Sequence, residues 1–155
     1  MTPPSSPNSE RIHMSTATSL LTAEDLAFLG RPLHGFLSVA GGTQPPQPRP
    51  VWFEATAEGT VQLFTETDSL KVRRLRRDPR ASLVVAAPVG ERERWVSVTG
   101  RATVEAGGVH DLCTRLAARY WDLDDPARAA DLAAMQAADQ LRVVLHPESV
   151  RRFSY

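Results

Sequence analysis

The sequence predicts an α+β fold built mainly of antiparallel strands, and the order of its elements carries that expectation. Strand-like runs follow one another without a helix between each pair, which argues against a doubly wound parallel sheet. The helical segments are set aside: one precedes the strands, one interrupts them, and two sit together before the closing strands. A chain of 155 residues, 42% of them hydrophobic, can bury one core of its own.

Residues 1–19 are polar, rich in Pro and Ser, and without periodicity, so a disordered tail is expected there. One domain is expected over 20–155, and Met14 is an alternative start. A short helix fits Thr22 to Leu29, where Thr22 and Asp25 form a capping box with Asp in place of Glu and Gly30 stops the helix. Leu33 to Ala40 reads as a strand ended by Gly41-Gly42. The next stretch, 43–48, holds Pro45, Pro46 and Pro48, which would leave ladder bonds unmade, so it reads as a long hairpin connection. Arg49 to Ala57 and Thr60 to Glu66 are strands about a Glu58-Gly59 turn.

Asp68 or Ser69 can cap a helix running through Leu70 to Arg77, closed by Asp78-Pro79. Ala81 to Ala87 is almost wholly apolar, as expected of a strand buried on both faces. Arg94 to Glu105 alternates, with Trp95, Ser97 and Thr99 set against Val96, Val98 and Gly100. Val109 to Trp121 places Leu112, Leu116 and Tyr120 on one helical face. Asp125-Pro126 is a cap followed by proline at the first helical position, opening a helix to about Ala138. Leu141 to Leu145 and Val150 to Phe153 are two closing strands, for about six or seven strands in all.

Several function classes are excluded at this level. Net charge is zero, and the Arg-rich helix has no interleaved aromatics, so nucleic acid is not an expected partner. No apolar run reaches the length that spans a bilayer, and residues 1–19 have no hydrophobic signal core, so a cytoplasmic protein without a membrane partner is expected. Cys113 stands alone, and His13, His34, His110 and His146 have no metal-ligand spacing.

The stretch most able to carry chemistry is Phe64 to Arg80. It joins a strand end bearing Thr65, a hydroxyl-rich turn, and a helix start bearing Lys71. Seventeen of the eighteen basic residues are arginine, so the single lysine, Lys71, is a candidate for a special role, the alternative being one lysine left by chance. Free N–H groups and the positive dipole end at a helix start, ringed by Thr65, Ser69 and Lys71, make an anion pocket. Arg74, three residues on, can share its side of the helix. A solvated basic helix with an ordinary serine cap has the same local pattern.

The run Thr65, Ser69-Leu70-Lys71 and Leu75-Arg76-Arg77-Asp78-Pro79-Arg80-Ala81-Ser82-Leu83 resembles the signature of the pyridoxamine 5'-phosphate oxidase-like family. Arg49-Pro50-Val51-Trp52-Phe53 is similar to the Pro-Val-Trp-Phe strand of its F420-binding branches, and Trp95 to Ala102 to its strand ending in Gly-Arg-Ala. The resemblance runs from about Leu20 to Phe153. It implies a split β-barrel homodimer with two cofactors at the subunit interface. It further implies that Arg49 to Glu54, including Pro50, Val51, Trp52 and Phe53, contact the ring and ribityl region. Phe64 and Thr65 would lie beside the ribityl-phosphate, and Ser69 and Lys71 would hold the phosphate.

Two positions depart from the oxidase proper: Trp95 stands where it has a ring-contacting glutamine, and Leu70 where it has a phosphate-binding arginine. These departures, and the short ending 151–155, point away from that specific activity. A missing phosphate ligand at Leu70 suits the phosphodiester of F420 better than the monoester of FMN. Arg73, Arg74 and Arg77 could meet F420's acidic tail. The expected function is hydride transfer from bound reduced F420 to a small organic acceptor, with Trp52 shaping one face of the acceptor cavity. An FMN-binding oxidoreductase of the same fold remains open, as does a binding or storage protein without turnover.

Overall fold

The structure is a computed structural model that describes residues 19–155. The expected tail, with Met14 and His13, lies outside the described residues except for Ser19.

Helix α1 (Ala23–Leu29) begins at the expected capping box. The Thr22 hydroxyl accepts the Asp25 N–H at 3.1 Å, and the Asp25 carboxylate accepts the Thr22 N–H at 2.8 Å. Seven strands follow: β1 (Gly35–Val39), β2 (Arg49–Val51), β3 (Glu54–Ala55), β4 (Val61–Glu66), β5 (Arg80–Ala86), β6 (Arg94–Glu105) and β7 (Gln140–Ser154). Helix α2 (Leu70–Arg77) lies between β4 and β5. Helices α3 (Val109–Tyr120) and α4 (Pro126–Ala137) lie between β6 and β7. All strand pairs are antiparallel, in the order β2-β1-β5-β6-β7-β4-β3.

The expected strand over 49–57 is two short strands, and the break shapes the fold. β2 pairs with β1 while β3 pairs with β4, so the two pieces form opposite edges of one sheet. Only Trp52 and Phe53 join them. A link of that length reaches about 11 Å at full extension, so the sheet must curl until its edges lie side by side. The curl makes a split-barrel α+β fold. Its interior holds Leu37, Phe53, Leu63, Leu83, Val98 and Leu145, with Phe28 and Leu29 of α1 packed against them.

Two other expectations change. The closing strands are one continuous β7, because β6 is long enough to pair with it from Arg142 to Ser154, across the expected gap. Pro147 argues for a break, but a register shift at Thr99/Gly100 takes it up. Gly100 makes the shift possible: a Cβ there would lie 1.9 Å from the His146 carbonyl oxygen. β5 is buried on one face only, through Ala81, Leu83 and Val85, while Val84 and Ala86 are exposed. Its outward face continues through Phe36 of β1 and through Trp95 and Phe153, whose rings stack 6.0 Å apart. In the single chain this apolar sheet face is open.

Candidate functional site

Helix α2 forms where expected because its residues divide by face. Val72 and Leu75 are buried against the barrel, and Lys71 and Arg74 are half-buried on another side. The Ser69 hydroxyl caps the helix by accepting the Val72 N–H at 3.2 Å. The Thr65 hydroxyl donates to the same oxygen at 3.2 Å, which ties the end of β4 to the start of the helix.

The first turn of α2 opens onto a cleft of about 260 Å³. Leu70, Lys71 and Arg74 form one wall, Leu37 and Val39 of β1 the floor, and Arg49 of β2 an end. The proline-rich connection closes it with Gln44, Pro45 and Gln47. Lys71 is thus brought to Arg49, with no carboxylate in ion-pair reach of either among the described residues. Burial pulls the Lys71 pKa below the ordinary lysine range, and the nearby Arg49 charge lowers it further. Two cations facing a shared hollow without a counter-charge favour an anionic ligand.

A second cleft continues past Leu70 and Arg74. It is lined by Arg73, Arg77, Gly41, Gly42 and Thr43, and shares Gln44 with the first. None of the five basic residues of α2 is paired with a carboxylate, whereas Arg31, Arg115, Arg142 and Arg152 each hold one. Gly41 lets the connection fold this closely over α2: its φ is +92°, and a Cβ would stand 3.3 Å from the Arg74 carbonyl oxygen. Gly41→Ala should therefore cost about 1–2 kcal/mol through left-handed backbone strain, read as a lower melting temperature. It should also loosen the connection that walls both clefts.

Of the residues picked out from sequence, Arg49, Leu70, Lys71 and Arg74 line the cleft. Thr65 and Ser69 stand at the helix mouth, but their hydroxyls are engaged with each other and with the Val72 N–H. Pro50 is exposed opposite Phe36, Val51 is half-buried, and Phe53 is wholly inside the core, so Phe53 can offer a ligand only its backbone. Trp52 lies against Tyr120, Trp121 and Phe64 and lines neither cleft. Trp95 is on the open sheet face beside Phe153 and lines neither cleft. The sequence reading missed Gln44, Pro45 and Gln47, whose signal was the prolines: a rigid connection is a good cleft wall. Among the described residues no three His, Cys, Asp or Glu side chains gather as a metal site, and no helix is long and apolar enough to cross a membrane.

Comparison with known proteins agrees with this architecture. No curated protein sequence matches the chain. A conserved hypothetical protein from Mycobacterium tuberculosis superposes with a TM-score of 0.66 at 23% identity, over 85% of this chain and 83% of that one. An F420 reductase superposes with a TM-score of 0.64 at 24% identity, over 81% and 94%. A FAD-binding protein from Mesorhizobium loti gives 0.58 at 17% identity, over 87% and 96%. At such identities these likenesses establish the fold. The sequence profile described as pyridoxamine 5'-phosphate oxidase matches residues 21–152, nearly all of the described chain. By that match, and by the seven-stranded split barrel, the chain belongs to the pyridoxamine 5'-phosphate oxidase family.

Proposed function

We propose that the chain is an F420-dependent oxidoreductase that reduces a small, electron-poor organic acceptor. The observation that carries the reading is Lys71, half-buried beside Arg49 at the mouth of α2, in a cleft with no carboxylate to balance it. The residues present suit the cofactor's phosphate and its surroundings. Lys71 and Arg49 supply positive charge, and Leu70 adds an apolar contact where a third cation would favour a dianion. The second cleft, with Arg73, Arg74 and Arg77, suits an acidic tail running on from that phosphate.

When bound, the reduced cofactor would supply a hydride, with solvent or a substrate-bound water as the proton source. The chain's own part is to bind and orient. Lys71 holds the phosphate, with the Ser69-capped helix start behind it. Arg49, Pro50, Val51 and the backbone of Trp52 and Phe53 set the ring, with Phe64 and Thr65 beside the ribityl chain. The open apolar face with Phe36, Val84 and Trp95 favours a homodimer, since a self-complementary patch is covered by its own copy. In that dimer the partner chain would bring its own outward face to the cleft. FMN is the second reading, favoured by membership of an oxidase family.

Parallel fluorescence titration of the purified chain with F420 and with FMN tests the reading, followed by turnover of the reduced cofactor with a panel of acceptors. Tighter F420 binding with turnover is the expected result. Tighter FMN binding moves the assignment to a flavoenzyme, binding without turnover moves it to storage, and no binding of either overturns it.

A further inference from the structure

Trp52 and Phe53 form the seam of the barrel, and they lie between the last ladder pair of β2 and the first of β3. The sheet therefore does not hold their backbone. One side chain does. Tyr120, the last residue of α3, lies flat on the Trp52 indole, with ring centroids 5.0 Å apart and planes 4° from parallel. Its hydroxyl donates to the Leu33 carbonyl at 2.6 Å and accepts the Phe53 N–H at 3.5 Å. Among the described residues this phenol is the only partner of that N–H. Burial raises the phenol's pKa, so it stays neutral and keeps its proton to donate.

The seam is braced from other sides as well. Trp121 meets the Trp52 ring edge-on at 4.6 Å and 86°, and the Arg128 guanidinium sits 4.6 Å over Trp121. Phe64 meets Trp52 edge-on at 6.5 Å. A phenylalanine at 120 would fill the same space and keep the stack. The hydroxyl adds something packing does not need: it bridges the run into β1, by a short bond to the Leu33 carbonyl, and the seam, by a longer one from the Phe53 N–H.

We infer that Tyr120 is a positioning residue for the ring end of the cofactor site: its ring and hydroxyl set the path of the Val51–Phe53 backbone without touching the ligand. The inference rests on the reading above that residues 49–54 orient the ring. It makes α3 part of the site's machinery although α3 lines neither cleft. Lys71 stands on a different element, α2, so ring end and phosphate end should respond separately.

The test uses the full chain, the variant Tyr120→Phe, and three probes: F420, FMN and inorganic phosphate as competitor. Losing a buried hydroxyl bridge should weaken binding of the cofactor that the unaltered chain takes by about threefold to tenfold. It should also change the induced circular dichroism of the bound ring. Competition by inorganic phosphate should stay unchanged, which a general loosening of the fold would not allow. Unaltered cofactor affinity and dichroism, or an equal loss for phosphate, would overturn the inference and leave the cofactor assignment standing. Failure of the unaltered chain to bind either cofactor overturns both. If Tyr120→Phe does not fold, Trp52→Leu, which removes the stack and spares the hydroxyl bridge, decides in the same way: unchanged dichroism and affinity count against it.

Discussion

Lys71→Ala should lower affinity for F420 or FMN tenfold to a hundredfold while the melting temperature hardly moves. A charged hydrogen bond is worth about 1.5–3 kcal/mol, and Lys71 makes no ion pair among the described residues whose loss would unsettle the fold. The pH dependence follows from the same side chain. Its pKa in the folded chain is depressed by burial and by Arg49, so the ammonium needed by an anion is lost below the ordinary lysine range. Affinity should thus fall as pH rises through that depressed value, and the fall should vanish in Lys71→Ala. Stability should run the other way. The unfolded chain binds the Lys71 proton more tightly, so removing protons in that window favours the folded state. Titrations from neutral to alkaline pH read the first effect, and denaturant midpoints read the second.

Arg152→Ala should destabilise the chain by about 1–3 kcal/mol, the cost of leaving a buried acceptor short of partners beside a half-exposed guanidinium site, the largest stability effect expected here. Asp25 is buried, and Arg152 grips its carboxylate with Nε at 2.8 Å and Nη2 at 2.6 Å. The same guanidinium reaches the Leu20 carbonyl at 2.7 Å, so one side chain of β7 ties down both the first turn of α1 and the chain leading into it. Without it, the Asp25 carboxylate keeps only the Thr22 N–H as hydrogen-bond partner for a charge placed inside the fold. Burial alone would push the Asp25 pKa up, but the bonds from Arg152 and Thr22 outweigh it and the net shift is downward. The stability from this pair is therefore present above the ordinary aspartate value and lost as pH falls through the depressed one. Urea midpoints at neutral and acidic pH should show wild type and Arg152→Ala converging in acid. Equal spacing at both pH values would refute this account of the pair.

Local chemistry wrote many of the elements in plain form. The Thr22–Asp25 capping box, the Ser69 cap, the Asp125-Pro126 start and the alternation through Trp95 to Gly100 all depend on neighbours within a few positions, and all are where expected. The errors have non-local causes. Residues 49–57 have strand chemistry throughout, but their two halves pair with strands on opposite edges of the sheet. Pro147 marks a stop by its own rules, yet a glycine some forty-seven positions earlier makes room for it. The apolar run 81–87 has one face uncovered in the described chain, and an apolar run by itself does not say which of its faces the rest of the fold covers.

The sequence by itself determined the family and the antiparallel α+β class, because caps and periodicity are properties of adjacent positions. Only the tertiary structure decided that Lys71 meets Arg49 across a cleft walled by a proline-rich connection, and that Trp52 is taken up by Tyr120. Curling of the sheet is the physical reason. A two-residue seam between its edge strands sets which distant side chains become neighbours, and no local pattern encodes that distance.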